Sequence, residues 1–264
     1  TTVDKGIVIE DVTETATKGS QFVWIPVGTI TKSDGTTATI TLGRYDFDST
    51  TGKESAYSGS YIEEDTNDAS TLKKWGNTIA KNITKFKNSV ATNGGYYIGR
   101  YEARTATARS AAGNALTQIT EKGTENVYNY VTQLQAAQLS QNMYNSDKFT
   151  SDLMNSYAWD TATVFIQNCG TNSKYSRQNS LNTSLSQTGT NSLTDTSKTD
   201  VQCNIYDMAS NIWEWTTETC SYSNGYCTYC GGNYRYRSNY TSSRLHSYPN
   251  NREEKTSFRS LLYM

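Results

Sequence analysis

The chain has 264 residues, with 24 Lys and Arg against 25 Asp and Glu, one His, two Pro, eighteen Gly and twenty Tyr. A net charge of −1 gives no global electrostatic reason to bind nucleic acid or an anionic membrane, so any charged site is local. At 35% hydrophobic, 12% aromatic and 19% charged this is a folded, polar-skinned chain, and no apolar run approaches the roughly 18 residues of a membrane span.

Residues 1–20 are polar and Gly-punctuated and read as a lead-in from upstream domains to a single domain over 21–264. The chain opens at Thr1 without a signal-peptide pattern, as in a mature form or an excised piece. The apolar run 21–28 (QFVWIPVG) and the alternating run 37–43 (TTATITLG, from Thr36) read as strands, as does the Gly-bounded aromatic run 95–103. The polar stretch between the last two, containing Trp75, reads as loop with a helical turn. At Thr132-x-x-Gln135 the pattern becomes a capping box followed by Ala136, Leu139 and Met143, which predicts a helix over 132–144. Ser151 can cap a second helix, whose face is Met154, Tyr157, Ala158, Thr161 and Phe165 and whose end is Cys169-Gly170. Residues 170–200 are Ser/Thr/Asn-rich and aperiodic, a long surface loop. From Val201 the chain is aromatic and strand-like, with candidates at 212–217, 228–234 and 256–263.

Five cysteines cannot all pair within one chain. Cys220, Cys227 and Cys230 cluster, which leaves thiols or one loop-stapling disulfide open. Cys227-x-x-Cys230 with His246 falls short of the paired ligands zinc needs. The Ser, Thr, Asn and Tyr bias points to a secreted or cell-surface module. With one His there is a single imidazole base, and neither a nucleophile elbow nor a phosphate loop accompanies it. The acid pairs Glu63-Glu64 and Glu253-Glu254 are adjacent in sequence and read as solvated surface.

The segment Asn204-Ile-Tyr-Asp-Met-Ala-Ser-Asn-Ile-Trp-Glu-Trp-Thr216 resembles the signature of the formylglycine-generating-enzyme (sulfatase-modifying factor) family. Phe22-Val-Trp-Ile-Pro-Val-Gly28, Tyr97-Ile-Gly-Arg-Tyr-Glu102, Gly231-Gly232 and Phe258-Arg259 follow in the family's order. The resemblance spans about residues 20–264 and implies an α+β, loop-rich domain with the C-type-lectin-like fold of that family. It also implies a calcium ion held by the side chains of Asp207 and Glu214 and the carbonyls of Ser210 and Ile212, an oxygen set suited to a hard cation. The alternative is that Asp207 caps a turn and Glu214 pairs with an arginine such as Arg259. Ser210 stands where the motif usually has Gly, which matters if that position needs positive φ. Trp213 and Trp215, two apart on a strand, share a face and read as core, with Glu214 opposite.

The family's founding activity oxidises a substrate cysteine with two cysteines and copper just beyond the Gly-Gly element. Here the matching positions are about Tyr236 and Thr241, which cannot supply thiolates to Cu(I), so the resemblance does not carry that oxidase activity over. An enzyme of the family with altered chemistry is the alternative reading. The Tyr- and Arg-rich stretch 232–258 instead reads as a recognition face for a protein or glycan, formed by Arg235, Tyr236, Arg237, Asn239, Tyr240, His246, Tyr248, Asn250 and Arg252. The bland alternative is an aromatic-rich loop packed on its own domain. These nine residues fit the palette obtained by mutating adenines in Asn-type codons, whereas Glu253, Glu254 and Lys255 do not. That resembles the variable proteins of diversity-generating retroelements, phage tropism determinants included, and implies display on a bacterial surface or a phage particle.

Overall fold

A computed structural model describes all residues except 1, 14, 65–81, 112, 114, 115, 145, 147, 182, 186–199 and 221–225. The expected turn around Trp75 and the distal half of the 170–200 loop lie outside the described residues. Among the described residues the chain is a mixed α and β fold with long connections, built on two five-stranded sheets and three α-helices longer than two turns.

The first sheet takes strands β1 (Val8–Glu10), β2 (Gln21–Pro26), then, after β3 (Gly28–Thr31), β4 (Thr37–Ile40), β5 (Tyr61–Ile62) and helix α1 (Ile83–Asn93), strand β6 (Gly95–Gly99). Two later strands complete it, β7 (Thr150–Leu153), which follows helix α2 (Gln133–Gln141), and the C-terminal Ser260–Tyr263. The order across the sheet is β1, β2, β6, the C-terminal strand, β7, antiparallel throughout. Both faces are covered, so alternate residues enter different cores. Val23, Ile25, Tyr96, Ile98 and Leu261 meet α1 and the long helix α3 (Ser156–Cys169), while Phe22, Leu153 and Leu262 meet α2 and the second sheet. A fully buried side chain of this size contributes roughly 1.5–3 kcal/mol, which is why the sequence reads as an apolar run.

The segment read as a lead-in is joined to this sheet. Val8 pairs with Val23 and Glu10 with Gln21, and the buried Asp4 accepts a 2.7 Å hydrogen bond from the Ser33 hydroxyl. The predicted capping box forms, with Gln135 N–H donating to Thr132 Oγ1 and Thr132 N–H to Gln135 Oε1, both at 3.1 Å. The second predicted helix starts later than Ser151. That residue sits in β7 opposite Leu262, and Asn155 caps α3 by accepting from Ala158 N–H at 2.8 Å. A sheet partner for 150–153, invisible locally, outcompetes the helical start. Helix α1, inside the stretch read as loop, is capped by Asn82 and ends at Gly94 with φ of 73°.

The second sheet is formed by β8 (Trp213–Cys220), β9 (Cys227–Cys230), β10 (Arg244–Ser247) and β11 (Thr256–Phe258), in the order β10, β9, β8, β11, with β5 pairing the far end of β8. The single strand predicted over 256–263 is therefore two. Residues 256–258 run parallel to β8, and 260–263 (β12) cross into the first sheet, with buried Arg259 at the switch. All eight residues of β8 are buried, and the recognition stretch hangs between β9 and β11.

Candidate recognition face

The floor of the face is the turn 204–212 and the two glycines that cross it. Asn204, Asp207 and Asn211 adopt φ of 63°, 62° and 61°, conformations that Asn and Asp tolerate better than other side chains. Ser210 is not among the positive-φ residues, so replacing the motif's Gly costs no backbone strain there. Its hydroxyl accepts from Leu181 N–H at 3.1 Å. Gly231 has φ of 93°, and a Cβ at Gly232 would stand 1.8 Å from the Ala209 carbonyl oxygen. The Gly-Gly pair is thus required by backbone crossing backbone.

Beneath this crossing lies a buried charge network. Arg259 donates to both Glu214 oxygens, at 2.7 and 3.0 Å, and to the carbonyls of Gly99 and Tyr206 at 2.8 and 2.7 Å. Glu102, buried beside it, accepts from Asn211 Nδ2 at 2.6 Å, Ile212 N–H at 3.3 Å and Arg104 at 3.4 Å. Burial pushes the Glu102, Asp207 and Glu214 carboxyls up, against the pull of Arg104 and Arg259. Glu214 has therefore followed the arginine alternative. Both oxygens of Glu214, one of the four ligands that the resemblance implies with Asp207, Ser210 and Ile212, accept from the Arg259 guanidinium. Among the described residues no three His, Cys, Asp or Glu side chains converge as metal ligands.

A second network anchors the other end. Arg244 donates to both Glu218 oxygens, at 3.2 and 3.1 Å, and to Asp160 of α3, while Arg44 also bonds Glu218. The Tyr57 ring lies 4.3 Å from Arg44 and 4.7 Å from Arg244. Trp159 Nε1–H donates 2.9 Å to the Thr241 carbonyl, and Thr241 Oγ1 donates 2.8 Å to Tyr175 O. The loop 233–243 is therefore pinned at Gly231, Gly232, Thr241 and Arg244. Glu102, Arg104, Asp160 and Glu218 escape a sequence reading because their partners lie up to 174 residues away; the spacing of Glu102 and Arg104, two apart on extended chain, was the one local hint.

Of the nine residues read as the face, none is buried. Arg235, Tyr236, Arg237, His246, Tyr248 and Asn250 are exposed, and Asn239, Tyr240 and Arg252 half-buried, whereas the interleaved Asn233, Tyr234 and Thr241 are buried. They fall into subsets. Tyr236 stacks on Trp213 at 5.0 Å and 11°, and Lys255 donates 3.2 Å to its hydroxyl. Arg235 pairs with Glu254 at 3.0 Å and Lys255 with Glu253 at 2.8 Å. His246 Nδ1 and Tyr61 OH lie 3.1 Å apart, and Tyr226 packs against both His246 and Tyr248, at 5.0 and 4.9 Å. His246 and Leu245 point to opposite faces of β10, so the His246 subset is separated by the strand from the Trp213 side. Tyr240 lies under Arg177 at 3.8 Å, and Arg252 donates 3.3 Å to Gly113 O. Tyr61, Tyr226 and Arg177, outside the predicted stretch, are the additions the structure makes.

No two of the five cysteines form a disulfide. Cys227 lies in the core between the sheets and Cys230 in the other core, on opposite faces of β9, so they form neither a disulfide nor a zinc pair. Burial pushes the Cys230 thiol well up, away from a reactive thiolate. The position of the missing copper ligand at Thr241 is buried and hydrogen-bonded to main chain.

No protein-family model matches the chain, and no curated protein matches it. Among solved structures it is similar to Treponema denticola variable protein 1, at 12% identity and a TM-score of 0.47, with 95% of this chain and 98% of that one covered. It is also similar to the crystal structure of CarF, at 15% identity and a TM-score of 0.37, over 51% of this chain and 66% of the other. At these scores neither likeness fixes a fold family or a function.

Proposed function

We propose that this protein is a noncatalytic binding protein whose C-terminal stretch displays a Tyr/Arg/Asn-rich face on a C-type-lectin-like scaffold, toward a protein or glycan at a bacterial or phage surface. The observation that carries the reading is the partition of residues 231–259. All nine candidate contact residues retain solvent exposure, while the glycines, Asn233, Thr241, Phe258 and Arg259 between and around them are buried and bonded. Rigid aromatic and guanidinium groups presented from a pinned loop are the chemistry of protein recognition sites.

The codon palette adds the proposal that a retroelement diversifies the face. Glu253, Glu254 and Lys255, which lie outside the palette, are tied by their carbonyls to Tyr130 N–H, Asn129 Nδ2 and Trp213 N–H, a reason for that turn to stay constant. Sequencing the codons for 231–259 across natural copies of the gene tests this. Substitutions confined to Asn-type codons, with Gly231, Gly232, Phe258 and Arg259 fixed, are expected. Codon-independent drift would remove diversification.

A further inference from the structure

The chain carries a net charge of only −1, so the state of each arginine on the face decides what it can attract. Of ten arginines, five are held in ion pairs and three donate to amide or carbonyl oxygens. The remaining two are Arg177 and Arg237, whose guanidinium groups make no hydrogen bond or ion pair among the described residues. Both belong to the same small region. Asn179 bridges Tyr240 in antiparallel fashion, Asn179 Nδ2 donates 2.9 Å to the Arg237 carbonyl, and Thr241 N–H donates 3.0 Å to Gln178 O. The two cations are therefore carried on adjacent segments, and the Arg177 guanidinium carbon lies 3.8 Å from the centre of the Tyr240 ring. A guanidinium already held over a ring loses less rotamer entropy when an anion docks. Asp48 feels the field of Arg177, but its Oδ1 already accepts from the amides of Thr50 and Thr51.

We infer that Arg177 and Arg237, on these two adjacent segments, receive the carboxylates of an acidic segment on a protein partner. This rests on the recognition reading above and names the partner's chemistry. A planar guanidinium matches a carboxylate fork. The neighbouring charges, Arg235 with Glu254 and Lys255 with Glu253, are already paired within the chain, so complementary charge is wanted at Arg177 and Arg237. Tyr236, next to Arg237 in the chain and 43% exposed, supplies an aromatic contact of the kind typical of protein interfaces.

The test is fluorescence anisotropy with a labelled peptide of glutamate and tyrosine, using the full chain and the variants Arg177→Ala, Arg237→Ala, their double, and Tyr236→Ala. Each arginine variant is expected to bind about fivefold more weakly, the fold-change of an exposed charge pair near 1 kcal/mol, and the double about 25-fold. Raising salt from about 20 to about 200 mM weakens the wild type and leaves the double nearly unchanged. Melting temperatures of the four variants verify that they fold. Equal binding by wild type and double overturns the inference; if Tyr236→Ala alone weakens binding, the recognition reading survives that failure. Binding of polygalacturonate or inorganic phosphate with no binding of the peptide also overturns it, in favour of an acidic glycan or a free anion.

Discussion

The floor of the face and its rim use the same residue types in opposite ways. Arg259 in the floor is buried and Arg244 at the second anchor partly buried, and both guanidinium groups are held by Glu214, Glu218, Asp160 or main-chain carbonyls. Arg237 in the rim is exposed, with no acceptor among the described residues, and Arg177 beside it only stacks. Likewise Trp213 is 6% exposed while the Tyr236 ring stacked on it is 43% exposed. The difference teaches that arginine and tyrosine content alone does not mark a binding surface. The mark is the alternation of satisfied and unsatisfied side chains along one pinned loop.

The sharpest way to break the floor is Gly232→Ala. Its new Cβ would sit 1.8 Å from Ala209 O and 2.5 Å from that carbonyl carbon, with main chain on both sides and no flexible side chain to yield. Loss of cooperative unfolding in urea, or destabilisation of about 3 kcal/mol or more, is expected. Arg259→Ala comes next, at roughly 3–5 kcal/mol, because it strands the Glu214 carboxylate in the core. Adding Glu214→Leu to it is expected to restore much of that loss, which a double-mutant cycle reads directly.

A pH series sharpens the same contrast. Burial pushes the Glu121 carboxyl up to about 8 and Asp160 and Asp200 up to about 6. These folded-state values lie above the ordinary ones, so the stability is fully present below about pH 4 and is lost as pH rises through about 6 and then about 8. Asp11, held near 2 by hydroxyl and amide donors, acts oppositely but only below its ordinary 3.8. Thermal melts are expected to fall from mildly acidic to mildly alkaline pH, and Glu121→Gln to flatten the upper part of that decline. Because Glu214 is held by Arg259, adding millimolar calcium is expected to move the melting temperature by less than about 1 °C. A clear rise would restore the oxygen set that the family resemblance implies. At the rim, Tyr236→Ala is expected to cost about 1 kcal/mol, the stack on Trp213, while removing a central contact of the face.

Much of the scaffold was legible where the signal is local. The capping box at Thr132, the apolar run of β2, the two tryptophans of β8 and the exposed palette after Gly232 were all read from neighbours in sequence. What escaped depends on distant partners. Ser151 is a competent helix cap, but the C-terminal strand takes residues 150–153 into a sheet. The run 256–263 is uniformly strand-like, and only the burial of Arg259 between two sheets splits it. Helix α1 presents just Ile83, Phe86 and Val90 as buried apolar positions, too sparse a stripe against its polar remainder. In the site, the ligands of Arg244 arrive from β8 and α3, and the aromatic neighbours of His246 are Tyr61 of β5 and Tyr226 just before β9. The sequence resemblance assigned Glu214 to a metal, and in the structure its oxygens accept from a side chain 45 residues on.

The central claim is that a fixed floor carries an exchangeable rim. It is tested most directly by two display libraries sorted for protease resistance and sequenced, one randomising Arg235, Tyr236, Arg237, Asn239, Tyr240, His246, Tyr248, Asn250 and Arg252, the other Glu214, Gly231, Gly232 and Arg259. The account predicts that most rim members stay folded and that floor survivors return to the native residues. A rim library as intolerant as the floor library would contradict it and make the stretch an ordinary packed loop.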